Sequence, residues 1–183
     1  MSTSAPRRLI YNYDAWGPFI RPQTIEDLRE NVQLFDGSQV TTVMLGPNFG
    51  QSMCYPSEVS EMCHWREHTP EEKKEFHHRM GPRFARASEW VAEKWRKDGV
   101  DAFGALVQGV VDNGLEAFAT IRMNDVHCLV LEDRKGPYTD KFYRDHPDYR
   151  LQQSGGLNYA IPAVRAHRIA CFEEMVRRYP FKG

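Results

Sequence analysis

Three polar side chains with useful chemistry follow one segment whose residues alternate between two faces. Residues 118–123 alternate as a buried strand does, and Asn124, Asp125 and His127 come directly after it. Asp125 could accept hydrogen bonds from a sugar hydroxyl, Asn124 could donate and accept them, and His127 could bind a metal or transfer protons. The structural alternative is an Asx turn at Asn124 and Asp125 that ends the strand, with His127 packed beside it.

Asp14 and Trp16 form a second group of candidates, after a short predicted strand at residues 9–13. A sugar stacks the C–H face of its ring on an aromatic side chain while its hydroxyls bind a carboxylate, so this pair suits a carbohydrate. A capping aspartate and a core tryptophan are the alternative. Arg122 lies within the third predicted strand, where a buried charge needs a partner, and Asp125 or Asp14 could supply one.

The histidines could also hold a metal ion. However, the sequence has no HExxH motif and no cysteine pair at zinc-finger spacing. No metal and no other cofactor is therefore predicted, and a metal-dependent hydrolase stays as an alternative. The arrangements that keep this alternative open are His64 with His68, the adjacent His77 and His78, and Asp125 with His127.

Length and composition bound the class of protein. The chain has 183 residues, enough for a single domain, 1–183, with a hydrophobic core. A net charge of −1 gives no electrostatic attraction to nucleic acid or to an anionic membrane, so neither is a predicted partner. No apolar run has the length of a signal or membrane-spanning segment, so a cytoplasmic protein is the default expectation. The scattered Cys128 and Cys171 have the pattern of small buried apolar residues.

The elements that must position these residues alternate between strand and helix. Thr24 is a good N-cap for the first helix, and Gly37 can adopt the left-handed conformation that ends it. The predicted strands are 9–13, 39–45 and 118–123, and the predicted helices are 24–37, 83–97, 101–113 and 162–179.

This order predicts an α/β fold with parallel strands, because βαβ crossovers return each strand in the same direction. Long connections follow the strands, including an insert at 49–80 and a loop at 124–160, whereas helix-to-strand connections are short. That asymmetry is typical of the (β/α)8 TIM barrel. We expect the first three βα units of such a barrel, with the long loops at its C-terminal face. Three strands cannot close a barrel, so an open sheet edge could support self-association.

Three segments carry a resemblance to known proteins. They are "IRMNDVH" at the third strand, "DHPDYR" in the loop after it and "LNYAIPAVRAHRIACFEEMVRRYPFKG" from that loop onward. Together they span about a third of the chain and resemble the N-terminal part of a family of glycoside-hydrolase-like TIM-barrel proteins. The resemblance implies a carbohydrate substrate. In that family the next strand carries a pair of acidic residues, and this sequence stops before it.

The predicted function is therefore carbohydrate binding by the N-terminal part of a glycoside-hydrolase-like barrel, which when complete would hydrolyse or bind glycosides. Whether the chain is an enzyme is left open, since a glycosidase needs two carboxylates flanking the bond and no such pair can be nominated. A non-catalytic interaction module completed by a partner or a second copy is the main alternative. The predicted substrate-binding residues are Asp14, Trp16, Arg122, Asn124, Asp125 and His127.

Overall fold

The structure is a computed structural model that describes residues 7–14, 24–62, 69–127 and 138–183. Trp16, His64, His68 and Cys128 lie outside these ranges. The strands are β1 (Ile10–Tyr13), β2 (Thr42–Leu45), β3 (Asn48–Phe49), β4 (Ser52–Met53) and β5 (Glu116–Ala119). The helices are α1 (Ile25–Gln33), α2 (Pro70–Met80), α3 (Pro82–Asp98), α4 (Ala102–Asp112), α5 (Lys141–Asp145) and α6 (Pro162–Arg178), with a 3-10 turn at Pro147–Tyr149.

The main sheet has three parallel strands in the order β1-β2-β5. Tyr13 pairs with Leu45, and Leu45 pairs with Ala119, so all three strands end at one level. The prediction of parallel strands in chain order is confirmed, and the architecture is α/β. Since the carboxyl ends of the strands meet at one edge, the residues that follow them are brought together.

The third strand is shorter than the sequence predicted. It was expected to extend through residue 123, but it ends at Ala119. Beyond that point the backbone of Arg122 pairs with the side chain of Asn48 instead of with a strand: its N–H donates to Asn48 Oδ1 at 3.1 Å and its carbonyl accepts from Nδ2 at 2.9 Å. A buried amide thus satisfies backbone groups that a ladder would otherwise pair.

The two long connections contain regular structure that the sequence did not predict. The insert at 49–80 begins within the antiparallel hairpin of β3 and β4 and ends with α2. The loop at 124–160 contains α5 and the 3-10 turn. In that loop the buried Tyr143 donates its hydroxyl to the Gly155 carbonyl at 2.7 Å. These contacts order the described part of the loop after β5.

The core lies between the sheet and helices α4 and α6. Gly109 of α4 packs on α1, where an added Cβ would make an ordinary contact with Arg29 Cα at 3.4 Å. The first helix begins as predicted at Thr24, which forms a capping box with Asp27. The buried core residues of the sheet, α4 and α6 are Val43, Leu45, Ala117, Phe103, Leu106, Val107, Val110, Cys171 and Met175.

Helix α6 faces the core with a side that matches its apolar pattern only in part. That pattern favours a buried stripe of Ile169, Phe172, Val176 and Tyr179; Tyr179 is buried in the core, but Ile169 is 53% exposed and Val176 is 58% exposed. The residues that α6 buries are Val164, Arg168, Cys171 and Met175. A charged side chain therefore occupies a core-facing position of this helix.

The outer edge of β5 is not bare, which corrects the expectation of an unpaired third strand. Lys182 donates its N–H to the Ala117 carbonyl at 2.8 Å, and Gly183 accepts from the Ala119 N–H at 2.8 Å. Within the described residues β1 pairs only with β2, and its Ile10 is 53% exposed. No helix in the described ranges is long and apolar enough to cross a membrane.

Candidate functional site

Arg122 lies between two aspartates at the carboxyl end of the sheet. Its Nη2 forms an ion pair with Asp14, which directly follows β1, and its Nη1 lies 3.7 Å from Asp125 Oδ2. The need to compensate the arginine charge predicted a partner in Asp125 or Asp14, and the structure places both beside it. The reason differs from the predicted one, since Arg122 lies beyond the strand and its side chain is 40% exposed. This bridge joins the first and third strands of the sheet.

Asp125 is the buried centre of this group, with a side chain that is 0% exposed. Its Oδ1 accepts from the His127 N–H at 3.0 Å and lies 2.5 Å from His127 Nδ1. Its Oδ2 accepts from the Gly50 N–H at 2.9 Å. The bond to the His127 N–H is the Asx turn that was the structural alternative. Because all of these bonds are internal, Asp125 orders the turn and has no surface for a ligand.

The β3–β4 hairpin supports this turn from below. Gln51 donates from Nε2 to the Asp125 carbonyl at 2.7 Å, beside the Gly50 bond to the carboxylate. Gly50 has a φ of 57°, and a Cβ there would lie 2.6 Å from the Tyr138 carbonyl oxygen. Only glycine fits this position without displacing the backbone. These hairpin residues were missed because two-residue strands have no periodicity to detect.

Asn124 is exposed, and its side-chain amide holds the following loop. It accepts from the Leu157 N–H at 2.8 Å and donates to the Leu157 carbonyl at 3.1 Å. Gly156 packs on this amide, since a Cβ there would lie 2.6 Å from it. Both ends of the Asn124 amide are therefore engaged. The structure brings Asn124 next to the cluster but gives it a positioning contact.

The accessible charged or titratable side chains of the cluster are Asp14, Arg122 and His127, which are 59%, 40% and 70% exposed. The structural alternative had His127 packed beside the turn, but most of its side chain faces solvent. Together they offer a carboxylate, a guanidinium and an imidazole to solvent. We call these three side chains the exposed triplet. Trp16, the sixth predicted binding residue, lies outside the described residues.

Cys54 is buried in the core beneath this end of the sheet and does not act as a nucleophile. Burial raises the pKa of its thiol well above the usual value of 9.0, and the nearby Asp125 and Asp14 charges raise it further. It therefore stays protonated near neutral pH. Among the described residues, no group of three or more His, Cys, Asp or Glu side chains could hold a metal ion.

A second carboxylate–imidazole pair lies beside α6, and the sequence did not predict it. Asp140 Oδ2 is 3.1 Å from His167 Nε2 and accepts the Ser60 hydroxyl at 2.6 Å, while Oδ1 caps α5 through the Tyr143 N–H at 2.8 Å. Burial alone would raise the pKa of Asp140, but the bonds from His167, Ser60 and Tyr143 outweigh burial and lower it. The sequence signal that could have drawn attention to His167 is its four-residue spacing from Cys171, which places both on one face of a helix.

This second pair is not a cysteine–histidine–aspartate catalytic arrangement. Cys171 Sγ lies 4.0 Å from His167 Nε2, the same ring nitrogen that contacts Asp140. A catalytic arrangement uses one ring nitrogen for each partner. Burial also raises the pKa of the Cys171 thiol to about 12. The expectation that Cys171 is a buried small residue is confirmed, since it is 0% exposed.

A cavity of about 520 Å³ lies away from the exposed triplet. It is lined by the 56–62 segment, Lys141, Phe142 and Arg178. Its wall residue Ser60 donates to Asp140, and its wall residue Phe142 stacks on His167 with ring centroids 3.9 Å apart. This cavity therefore adjoins the buried pair and includes none of the predicted binding residues. We place the candidate site at the exposed triplet because its charged groups are ordered and accessible.

No protein-family model matches this chain, and no curated protein matches it. Its function must be inferred from the geometry of these side chains.

Proposed function

We propose that the carboxyl end of the sheet binds a carbohydrate through Asp14, Arg122 and His127. The observation that carries this proposal is the position of Arg122, which is fixed between an exposed and a buried aspartate and still presents part of its guanidinium to solvent. The resemblance to glycoside-hydrolase-like (β/α)8 proteins, a parallel strand order and long loops at this end support the same assignment.

Sugar hydroxyls suit the exposed triplet because each hydroxyl both donates and accepts. A guanidinium has only donors and an ionised carboxylate only acceptors, so Arg122 and Asp14 would bind neighbouring hydroxyls in one orientation. The support beneath is already ordered by the hydrogen bonds of Asp125, Gly50 and Gln51. Less side-chain entropy is then lost on binding than with free side chains.

The role of this face is binding, with no transfer of a proton to a glycosidic bond. Glycosidases place two carboxyl groups on either side of the bond, about 5 Å apart for retention or roughly 6.5–9.5 Å for inversion. Of the two carboxylates here, Asp125 is 0% exposed and cannot flank a substrate. Asp14 alone does not make the pair. The full activity of a glycoside-hydrolase-like barrel would need carboxylates from other strands.

The test is saturation-transfer NMR against a panel of neutral oligosaccharides, followed by titration calorimetry on any that bind. Arg122→Ala should weaken binding about tenfold or more, which corresponds to about 1.4 kcal/mol. The matched control is Arg8→Ala, because Arg8 forms an exposed ion pair with Glu116 at the opposite end of the same sheet. If no sugar binds, or if both variants weaken binding equally, the proposal is wrong.

A second candidate function is an interaction module that associates through the edge of β1. The exposed Leu9, Ile10 and Tyr11, at 51%, 53% and 44%, favour this candidate, since an apolar strand edge recruits other strands. Light scattering would show an oligomer that Ile10→Lys dissociates. A monomer at every concentration would contradict it, with no bearing on sugar binding.

A further inference from the structure

Arg168 is a buried cation whose two hydrogen bonds lead toward the turn at residues 123–127. It is 2% exposed and lies on the core-facing side of α6. Its Nη2 donates to Gln51 Oε1 at 2.9 Å, and its Nε donates to the Tyr159 hydroxyl at 3.3 Å. These two nitrogens form one edge of the guanidinium, and both partners are neutral. The third nitrogen, Nη1, has no hydrogen-bond partner among the described residues.

Each partner passes a hydrogen bond on to a carbonyl of the turn. Gln51 donates from Nε2 to the Asp125 carbonyl at 2.7 Å. Tyr159 donates its hydroxyl to the Met123 carbonyl. Two relays therefore run from one edge of the Arg168 guanidinium to two carbonyls that lie two positions apart in the chain.

The charge of Arg168 fixes the direction of both relays. A guanidinium has donors only, so the Gln51 amide must face it with its oxygen, and the amide nitrogen then faces the Asp125 carbonyl, which can only accept. With an apolar side chain at position 168, nothing would set the amide orientation, and the reversed amide would place an oxygen against that carbonyl oxygen. The Tyr159 hydroxyl is held in the same way, since accepting from Arg168 leaves its proton for the Met123 carbonyl.

A contribution to stability does not account for an arginine at this position. Removing a guanidinium from water is costly, and replacing buried charged groups by well-packed apolar residues is often neutral or stabilising. An apolar residue would, however, lose the relays to the turn. The turn holds Asp125 in contact with Arg122 and His127, which are two members of the exposed triplet.

We propose that Arg168 is a positioning residue for the carbohydrate-binding surface. Through Gln51 and Tyr159 it holds the 123–127 turn, and with the turn the exposed triplet, while it contacts no ligand itself. The expected effect on affinity rests on the carbohydrate-binding function proposed above. The expected effect on the turn does not depend on any ligand.

The test is hydrogen exchange measured by NMR on the wild type and on Arg168→Met. The buried Gly50 N–H, which bonds the Asp125 carboxylate, reports on the turn, and amides in the middle of α4 report on unfolding of the whole domain. Exchange of the Gly50 N–H should accelerate about tenfold more than exchange of the α4 amides, because only the turn is loosened. The matched control is Arg177→Met, since Arg177 is an exposed arginine of the same helix that bonds the Glu173 carbonyl. It should leave the ratio of the two rates unchanged.

A second variant, Gln51→Glu, breaks the relay while the arginine stays in place. A glutamate carboxylate can accept from Arg168, but it has no proton to donate to the Asp125 carbonyl. The Gly50 N–H should again exchange faster relative to the α4 amides. Wild-type exchange at Gly50 in this variant would overturn the proposal, and this variant decides if Arg168→Met does not fold.

Titration calorimetry then measures affinity for any sugar that binds the wild-type protein. Arg168→Met and Gln51→Glu should each weaken binding about tenfold, whereas Arg177→Met should bind as the wild type does. Equal acceleration of the Gly50 and α4 amides would mean that Arg168 only stabilises the fold, and it would overturn the proposal. A loosened turn with wild-type affinity would overturn it as well. If no sugar binds, the proposed function fails, and the exchange ratio still decides whether Arg168 positions the turn.

Discussion

The aspartate–histidine pairs Asp125–His127 and Asp140–His167 differ in which partner meets solvent. In the first pair the Asp125 side chain is 0% exposed and His127 is 70% exposed. In the second pair Asp140 and His167 are 2% and 9% exposed. Both aspartates accept backbone N–H groups as well as an imidazole contact, so the pairing chemistry is nearly the same. The larger difference is the exposure of the imidazole.

That difference shows how one kind of contact serves two purposes. Asp125 fixes a turn from inside and leaves an imidazole and a guanidinium facing outward, which makes a surface that can bind. Asp140 joins Ser60, His167 and the first turn of α5 with all groups inside, which stabilises packing. We therefore expect substitutions at Asp140 and His167 to affect mainly stability. At the first pair, substitution of the exposed His127 should affect binding more than stability.

The largest expected effect is the loss of stability in Asp140→Ala. The substitution leaves the Ser60 hydroxyl, the His167 ring and the Tyr143 N–H without their acceptor. We expect the free energy of unfolding to fall by about 3–5 kcal/mol, as when one partner of a buried pair is removed. Urea denaturation followed by circular dichroism measures this. The control is Asp145→Ala, an exposed carboxylate paired with Lys141, which should unfold as the wild type does.

A smaller effect is expected for Asp125→Asn. The asparagine oxygen can still accept the Gly50 N–H. The asparagine NH2 group, however, takes the place of the other carboxylate oxygen, so a donor then faces a donor at that side. The free energy of unfolding should fall by about 1–3 kcal/mol. Wild-type stability combined with a complete loss of sugar binding would show instead that Asp125 contacts the ligand directly.

The stability that Asp140 contributes should depend on pH. The pKa of Asp140 is lowered in the folded state from its ordinary value of 3.8, so its contribution to stability is present above pH 3.8 and is lost as the pH falls below it. Comparing wild type with Asp140→Asn by urea denaturation at pH 6 down to pH 2.5 should show that their stability difference narrows only below about that pH. A gap that is constant across the range would contradict the lowered pKa.

The smallest effect is expected for His127→Ala. Its ring is 70% exposed, so its removal takes little apolar surface out of the core and should cost less than about 1 kcal/mol. His167→Ala is the comparison, since it removes a buried ring that is stacked on Phe142 and should cost more. Thermal unfolding of both variants provides the test. An equal loss in the two would mean that burial does not distinguish the pairs.

The parts of this molecule that follow from periodicity could be predicted from the sequence. The alternation of strands and amphipathic helices gave the parallel sheet, and strand polarity then placed Asp14 near Arg122 although 108 positions separate them. The charge of Arg122 required a partner, which identified the aspartates.

The parts that depend on single side-chain contacts could not be predicted. The end of β5 depends on Asn48, whose amide replaces a neighbouring strand for Arg122. The orientation of α6 depends on Arg168. A periodicity analysis assigns charged residues to the exposed side of a helix, so it cannot predict that this arginine is buried. Both contacts join segments far apart in sequence, and neither leaves a local signal. The carbohydrate-binding role of the exposed triplet stays a prediction.

The bond between Asn124 and Leu157 also bears on the order in which the chain folds. It closes a segment of the chain whose ends are 33 positions apart. The entropic cost of closing a loop grows only with the logarithm of its length. Most of the entropic cost of ordering this part of the chain is therefore met when the Asn124–Leu157 contact forms. Once Asn124 holds Leu157, only a few residues separate the closed loop from the first turn of α6. We therefore expect docking of α6 onto the sheet to follow quickly after this contact, and weakening Asn124 to slow folding more than it speeds unfolding.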